Sequence, residues 1–223
     1  MMNPNRKLWN ENQKYLHDLL DTHESKQALV SFFIQHATVH SAQISESVTW
    51  SFADEILKDI PDDIWRRIPA KAEHSIAWCV FHIARCEDVT MNLLVADEPQ
   101  IIHQDDWLQK MGISIQHTGN EMSYHEIFEM SKSIDIHALA SYRLAVGCKT
   151  EKITRNLKPE QLFNKILSSR VQRVRSEGAV TKAAEYVLDY WSKRTLAGLL
   201  LMPATRHNFV HLNEALQLKN SRK

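Results

Sequence analysis

Near its carboxyl end the sequence places two histidines four residues apart in an apolar run, followed by a glutamate. On a helix, positions i and i+4 lie on one face with their Cβ atoms about 5–6 Å apart. His207 and His211 can therefore bind one divalent metal ion through their ring nitrogens. Glu214 lies on the same stripe, where it could fix a histidine tautomer, act as a general base, or remain a solvated charge. The segment predicts metal binding but does not define a reaction.

A second His-x-x-x-His pair, His36 and His40, has the same spacing. With 12 histidines in 223 residues, about 0.6 such pairs are expected by chance, so spacing alone does not identify a site. Apolar residues surround the pair at 207 and 211, whereas polar residues such as Gln35 and Ser41 flank the other pair. We therefore expect the later pair to be the ligands and the earlier pair to lie on a wetter face.

A third candidate ligand, His82, lies on the apolar stripe of an earlier predicted helix. A buried imidazole needs a partner, because an unsatisfied buried polar group costs about 1–3 kcal/mol; a hydrogen bond in the core would serve as well as a metal. Three histidines would leave a fourth position for water or substrate, as in catalytic zinc sites. Cys86, one turn away, is either a soft fourth ligand or a small buried hydrophobe. Arg206 either binds a substrate carboxylate or forms an ordinary ion pair.

The composition indicates a helical protein without a strong electric field. Its 27 basic and 27 acidic residues balance, so neither nucleic acid nor a membrane is an expected partner. The longest apolar stretch, near 196–202, is far shorter than the ~20 residues that span a bilayer, and the amino terminus lacks the apolar core of a secretory signal. Three cysteines without regular spacing give no disulfide framework. We expect a soluble, cytoplasmic protein.

Apolar periodicity predicts four long helices and a short, peripheral one before them. The short helix covers 7–22, and the long ones cover 26–58, 72–96, 123–157 and 195–218. Between them, 98–122 is expected to be a long connection and 158–178 a looser stretch, with a further short helix over 179–190. Ser123 and Glu126 resemble a capping box, and Pro203 either kinks the last helix or starts its second half.

These elements favour an all-α fold: a four-helix bundle with long crossover connections and a short N-terminal helical extension. We expect the extension to cover 1–25 and a metal-binding bundle to cover 26–223.

Two segments resemble motifs of the DinB-like superfamily of four-helix metal proteins. Residues 74–88 resemble its second-helix signature, in which a histidine precedes an apolar residue, an alanine and then an acidic residue. Residues 202–214 are similar to its last-helix motif, a His-x-x-x-His pair with a short acidic ending. The resemblance covers about 30–218. One departure is Asn213, where relatives usually carry glycine, which would narrow the neighbouring pocket.

The resemblance implies that His82, His207 and His211 bind one divalent metal, with zinc, nickel or iron as occupants. It also implies an unusual helix order with a long crossover. Characterised relatives include transferases that use low-molecular-weight thiols, and maleylpyruvate isomerases. A homodimer is a further implication, in which Trp9 and Trp50 would be buried against a second copy.

Three functional hypotheses remain open. In the first, the chain is a metalloenzyme, a transferase or hydrolase in which a metal-activated thiol or water attacks an electrophile. In the second, it is a binding or stress-response module whose metal is structural, with a shell closed by Cys86 or Glu214. In the third, it is a metal-free helical interaction protein. A di-iron carboxylate bundle is not expected, since the stripes lack paired Glu-x-x-His motifs.

Overall fold

The computed structural model describes residues 3–45 and 49–221. These residues form helices, turns and one isolated bridge between Lys165 and Thr195, with no strand among them. The predicted all-α class is therefore confirmed. None of the described helices combines the length and apolarity needed to cross a membrane.

The α-helices of the described residues are α1 (Pro4–Asp21), α2 (Ser25–Val39), α3 (Phe52–Leu57), α4 (Asp62–Arg66), α5 (Ile76–Asp88), α6 (Trp107–Met111), α7 (Tyr124–Ser133), α8 (Ile136–Asn156), α9 (Ser168–Ser176), α10 (Glu185–Ser192), α11 (Leu196–Leu201) and α12 (His207–Asn220). Two π-helical stretches extend this set: Val89–Ala96 continues α5, and Met202–Arg206 joins α11 to α12. Short 3-10 turns lie at Ala42–Ile44, Ile101–His103, Pro159–Phe163 and Lys182–Ala184.

Four long helical segments make up the centre of the molecule: α2, α5 with its continuation, α8, and α11–α12. Helices α5 and α8 run parallel, because Tyr142 bonds to Asp88 and, further along the chain in both segments, Lys149 pairs with Glu98, which lies just past the continuation of α5. Two parallel helices that follow each other in sequence require the connection between them to return along their length. This arrangement is consistent with the expected long crossover.

Helix α12 runs antiparallel to α5, since Asn208 bonds to Glu87 near the end of α5 while Glu214 bonds to His74 before its start. Helix α2 runs antiparallel to α8: Arg143 bonds to the carbonyl of Val39, and Arg155 lies over the ring of Phe33. The segments α2, α5, α8 and α12 therefore point up, down, down and up.

The predicted helix over 26–58 is wrong, because α2 ends at Val39. His40 is extended, and Ser51 donates to its carbonyl oxygen (2.5 Å) while capping α3 by accepting from the Asp54 amide (2.9 Å). These local bonds compete with helix continuation. Residues 46–48 of the predicted range lie outside the described residues.

The predicted helix over 123–157 is also interrupted. Its capping box is confirmed, since Ser123 and Glu126 bond reciprocally to each other's backbone. However, the helix stops at Ser133, and Asp135 begins α8 by accepting from the Ala138 amide (2.8 Å). An aspartate at this position is a stronger start signal than the apolar period around it.

The remaining boundaries differ less. The stretch 158–178 is not loose, because it contains a 3-10 turn and α9. The short helix expected over 179–190 begins later, at Glu185. The last helix is confirmed, with Pro203 inside the π-helical turn.

Helix α1 is not peripheral. The Trp9 ring stacks on Phe209 of α12 (centroids 3.9 Å apart), and its Nε1 donates to the Gln35 carbonyl (3.2 Å). Trp9 is only 2% exposed within its own chain, so it is not available to a second copy. The division into an extension over 1–25 and a bundle over 26–223 stays a prediction.

A buried polar cluster ties the four long segments together. The Glu87 carboxylate accepts from His36 Nε2 (2.8 Å), His40 Nε2 (2.9 Å) and Asn208 Nδ2 (2.9 Å), and Arg143 donates to Asn208 Oδ1 (3.1 Å). We call these five residues the Glu87 cluster. The expectation that His36 and His40 lie on a wetter face is therefore wrong.

Local sequence could not reveal this burial. Gly147 of α8 gives His40 its place, because a Cβ at position 147 would lie 2.6 Å from His40 Nδ1. Burial lowers the pKa of His40 to about 4. Burial alone would raise the pKa of Glu87, but His40 and His36 hold it well below its usual range. The cluster thus holds a neutral His40 beside an ionised carboxylate at neutral pH.

We expect this cluster to make the fold acid-sensitive. The pKa of His40 is lower in the folded state than its ordinary value of 6.5, so between pH 6.5 and about 4 the unfolded chain binds more protons. Stability is then lost as the pH falls through that window, by about 3 kcal/mol from His40. Urea unfolding in the presence of a chelator should show a shallower pH dependence for His40→Gln, which retains a donor for Glu87, than for the wild type.

The matched control is His137→Gln, since His137 is exposed on α8. It should keep the wild-type pH dependence. Equal slopes for the wild type and His40→Gln would contradict the assignment to His40.

Candidate metal centre

Three histidine rings from two helices meet in the interior. His82 of α5 lies with its ring centroid 4.9 Å from that of His207 and 4.9 Å from that of His211, and the last two are 4.7 Å apart. The rings are steeply inclined to one another, at 72°, 84° and 81°. Imidazoles whose nitrogens lie ~2.0–2.1 Å from one tetrahedral ion have centroids about 5 Å apart. The observed spacing fits that arrangement.

Local sequence explains why α5 presents His82 inward. Ser75 caps the helix by accepting from the Trp78 amide (2.9 Å), and its hydroxyl meets that of Ser131 on α7 (2.6 Å). From this fixed start, His82 lies two turns along the buried face and is 2% exposed.

A π-helical turn sets the position of the other two histidines. Pro203 has no N–H for the helical ladder, and the Thr205 hydroxyl donates to the carbonyls of Leu200 (3.0 Å) and Leu201 (2.8 Å). Asn208 then donates to the Pro203 carbonyl (3.0 Å). Such wide turns shift the register of the residues that follow and occur often at functional sites. Here the turn ends directly before His207.

Two of the rings are held in a defined tautomer. His82 Nδ1 lies 2.6 Å from the Thr118 carbonyl oxygen, and His211 Nδ1 lies 2.7 Å from Glu214 Oε2. Because an acceptor engages Nδ1 as a donor, Nε2 is left as the nitrogen able to bind a metal. Such outer partners are typical of metal-ligating histidines.

His207 differs from the other two. Its Nδ1 is buried and has no hydrogen-bond partner among the described residues, so no second group fixes its tautomer. Burial, with His82 and His211 nearby, lowers the pKa of His207 well below its ordinary value, and burial lowers that of His82 to about 3. Both rings are neutral at pH 7, which is the form that binds metal.

Sequence reasoning missed His74 at the site, whereas Trp78 lies on the same predicted helix face as His82. His74 Nδ1 lies 2.7 Å from Glu214 Oε1, and the Trp78 ring stacks between His74 (3.7 Å) and His82 (4.5 Å). His74 precedes the cap of α5, so helical spacing gave no signal for it. Burial alone would raise the pKa of Glu214. Its hydrogen bonds to His211 and His74 outweigh that effect and bring the pKa below its ordinary value, so the carboxylate is ionised.

Cys86 lies beside the rings of His82 and His207. Its Sγ is 3.8 Å from His82 Nδ1 and 3.9 Å from Nε2, and burial raises the pKa of the thiol. A cavity of about 300 Å³ reaches the site, with Cys86 and His207 among its lining residues. A fourth ligand for a metal at the rings could therefore come from the Cys86 sulfur or from a molecule bound in the cavity.

Arg206 is directed elsewhere. Its guanidinium donates to Asn10 Oδ1 (2.5 Å) and lies over the rings of Trp9 and Phe209. It lines a surface groove between α1 and α12 rather than the cavity beside His207. Asn213, the departure from the family motif, accepts from Arg6 of α1 (3.0 Å).

Ligand atoms lie within 4.8 Å of one another in three groups of the described residues: His82 with Cys86 and His207, Cys79 with His211 and Glu214, and His36 with His40 and Glu87. The first two groups divide the three rings between them. In the third, both Nε2 atoms point at carboxylate oxygens at hydrogen-bond distance, and His36 Nδ1 has no described partner that would fix the opposite tautomer. That geometry fits a hydrogen-bonded core better than a metal site.

Comparison with known families gives one match. A family model described as the DinB superfamily matches residues 47–215, a range that contains all three converging histidines and excludes α1 and α2. No curated protein matches the chain.

Proposed function

Because this chain belongs to the DinB superfamily, we propose that it binds one divalent metal ion through His82, His207 and His211 and acts as a metal-dependent transferase or hydrolase on a small molecule. The observation that carries the proposal is the convergence of the three rings, at 4.7–4.9 Å between centroids. Zinc, nickel and iron all accept imidazole ligands, so the ring set is compatible with each.

The chain's own residues prepare the site for a cation. Thr118 and Glu214 orient two of the rings, and the ionised Glu214 supplies a negative charge beside the site. A bound metal would supply Lewis acidity, lowering the pKa of a thiol or water beside it so that an anionic nucleophile exists near neutral pH. Trp78 covers one face of His82, and the cavity beside His207 gives a small molecule a route to the rings.

The nucleophile in this proposal is a low-molecular-weight thiol or water, and the substrate is an electrophile. In the thiol version the attacking thiolate comes from outside the protein, because burial raises the pKa of the Cys86 thiol.

A second candidate function rests on the position of Cys86. With its Sγ within 4.8 Å of ligand atoms of His82 and His207, Cys86 could close the coordination shell. The metal would then be structural, and the protein a binding or stress-response module without an enzymatic activity.

The first prediction concerns the ligands. Tag-free protein should contain a single divalent ion per chain by elemental analysis, and His207→Ala or His211→Ala should remove it, because each deletes one of three neutral donors. Two controls should retain the ion: His137→Ala, on an exposed position, and His36→Gln, in the Glu87 cluster. Circular dichroism would confirm that each variant is folded.

Metal-free wild-type protein would contradict both the proposed metalloenzyme and the proposed structural metal. Loss of the ion from His36→Gln with retention in His207→Ala would show that the other histidine pair is the site.

The second prediction separates enzyme from structural site. X-ray absorption on the wild type should show nitrogen ligands without sulfur, and adding a small thiol should introduce a metal–sulfur distance of about 2.3 Å. Cys86→Ser should give the same two spectra, since in the enzymatic version Cys86 is not a ligand. A sulfur ligand present before thiol addition and absent from Cys86→Ser would instead favour the structural metal.

We further propose that the protein is a homodimer, with an apolar surface of α1 and α2 as the interface. Tyr15, Val30 and Ile34 are 56%, 62% and 45% exposed and line a depression of about 460 Å³. Leu8, 55% exposed, extends the same surface along α1. Contiguous apolar side chains of this kind are typical of protein interfaces.

Light scattering should give twice the chain mass of 25.9 kDa for the wild type, and Val30→Glu should shift the mass towards a single chain, because a charge there would be buried. Phe128→Glu is the matched control, since Phe128 is an exposed apolar residue on α7. A single-chain mass for the wild type would rule the dimer out.

A further inference from the structure

The cavity beside the three histidine rings is built by parts of the chain that are far apart in sequence. Its volume is about 300 Å³, at the small end of the range for ligand sites. The described lining residues are Cys86, Asn120, Tyr186, Val187, Tyr190, Trp191, Met202, Pro203 and His207. Both long connections of the bundle contribute. Asn120 belongs to the connection between α5 and α8, and α10, in the connection between α8 and α11, supplies an aromatic wall.

The lining contains no acidic side chain, lysine or arginine among the described residues. Two charged side chains contact the aromatic wall without lining the cavity. Glu121 accepts from the Tyr186 hydroxyl (2.7 Å), and the Arg194 guanidinium lies 4.0 Å from the centroid of the Tyr190 ring. Neither Glu121 nor Arg194 lines the cavity.

This neutrality is not a general property of the surface. The groove between α1 and α12, about 560 Å³ in volume, is lined by charged side chains that include Arg6, Lys14 and Arg206. The cavity at His207 therefore has an uncharged lining, whereas the groove between α1 and α12 has a charged one. Aromatic and aliphatic walls with few polar groups favour ligands whose buried part is apolar.

We propose that this cavity binds an uncharged aromatic or branched hydrocarbon group of about one ring in size, so that the metal centre selects small molecules with an apolar body over anionic ones. The inference rests on the proposed function, since it assigns a substrate class to the same site. The apolar body would lie against Val187 and the rings of Tyr190 and Trp191. The donor or electrophilic end would reach the floor formed by His207 and Cys86.

The test compares two thiols that share a sulfur donor and differ in body. Binding of 4-fluorobenzyl mercaptan to the metal-containing protein is followed by fluorine NMR, with 2-mercaptoethanesulfonate as competitor. We expect the aromatic thiol to bind about tenfold or more tightly, because burying roughly 60 Å² of apolar surface corresponds to that factor. Val187→Asp and Tyr190→Ala should each abolish the preference while the metal content stays that of the wild type.

Tyr124→Ala is the control, since Tyr124 is an exposed tyrosine on α7 that does not line the cavity. It should leave the preference unchanged. Equal affinities of the two thiols for metal-containing protein, or a preference that survives both Val187→Asp and Tyr190→Ala, would overturn the inference.

A sulfur-free probe separates failure of this inference from failure of the proposed function. 4-Fluorotoluene has no metal-binding atom, so its binding reports on the cavity whether or not a metal is present. Binding that Val187→Asp removes supports an apolar site, and absence of binding overturns it. Elemental analysis of the same samples decides the metal separately.

Discussion

The buried carboxylate of Glu87 is the interaction on which the rest of this structure depends. An ion in the core is tolerated only when it is fully hydrogen-bonded and compensated. His36 and His40 of α2 and Asn208 of α12 donate to it, and Arg143 of α8 reaches Asn208 from the other side. The four long segments are thereby tied together at the level where the candidate site begins, since each donor satisfies part of one buried charge.

This constraint extends directly to the three-ring site. Asn208 follows His207, so the bond that satisfies Glu87 also fixes the rotation of α12 and hence the direction of both its histidines. The π-helical turn before His207 shifts the register of α12, so that Asn208 can reach Glu87 while His207 and His211 point toward His82. On the opposite side, His82 is held by the Thr118 carbonyl. Two helices and one connection thus orient rings that would otherwise lose rotamer freedom on binding a cation.

The two long connections, between α5 and α8 and between α8 and α11, help to build the candidate site. The first is anchored by Arg85, which donates to the Gln116 carbonyl, and by Asp88, which accepts from the amides of Ile101 and Ile102. This anchoring places Thr118 against His82 and Asn120 at the cavity. The second carries α10, whose side chains form the cavity wall. Because α5 and α8 run parallel, the first connection must return along the bundle. On that path it supplies Thr118 to His82 and Asn120 to the cavity.

By itself, the sequence determined the all-helical class, the long last helix with its proline, the capping box at Ser123, and the histidines of α5 and α12 as the side chains that could meet. Those features are encoded in spacing within one helix or one turn, where covalent geometry fixes which residues share a face. Only the tertiary structure decided that His36 and His40 are buried, that His74 reaches Glu214, and that the connections line a cavity. Each of these depends on groups distant in the chain, such as Glu87 or Gly147, which has no side chain. Whether a residue is buried between two helices depends on both helices, so it cannot be predicted from the sequence of one segment.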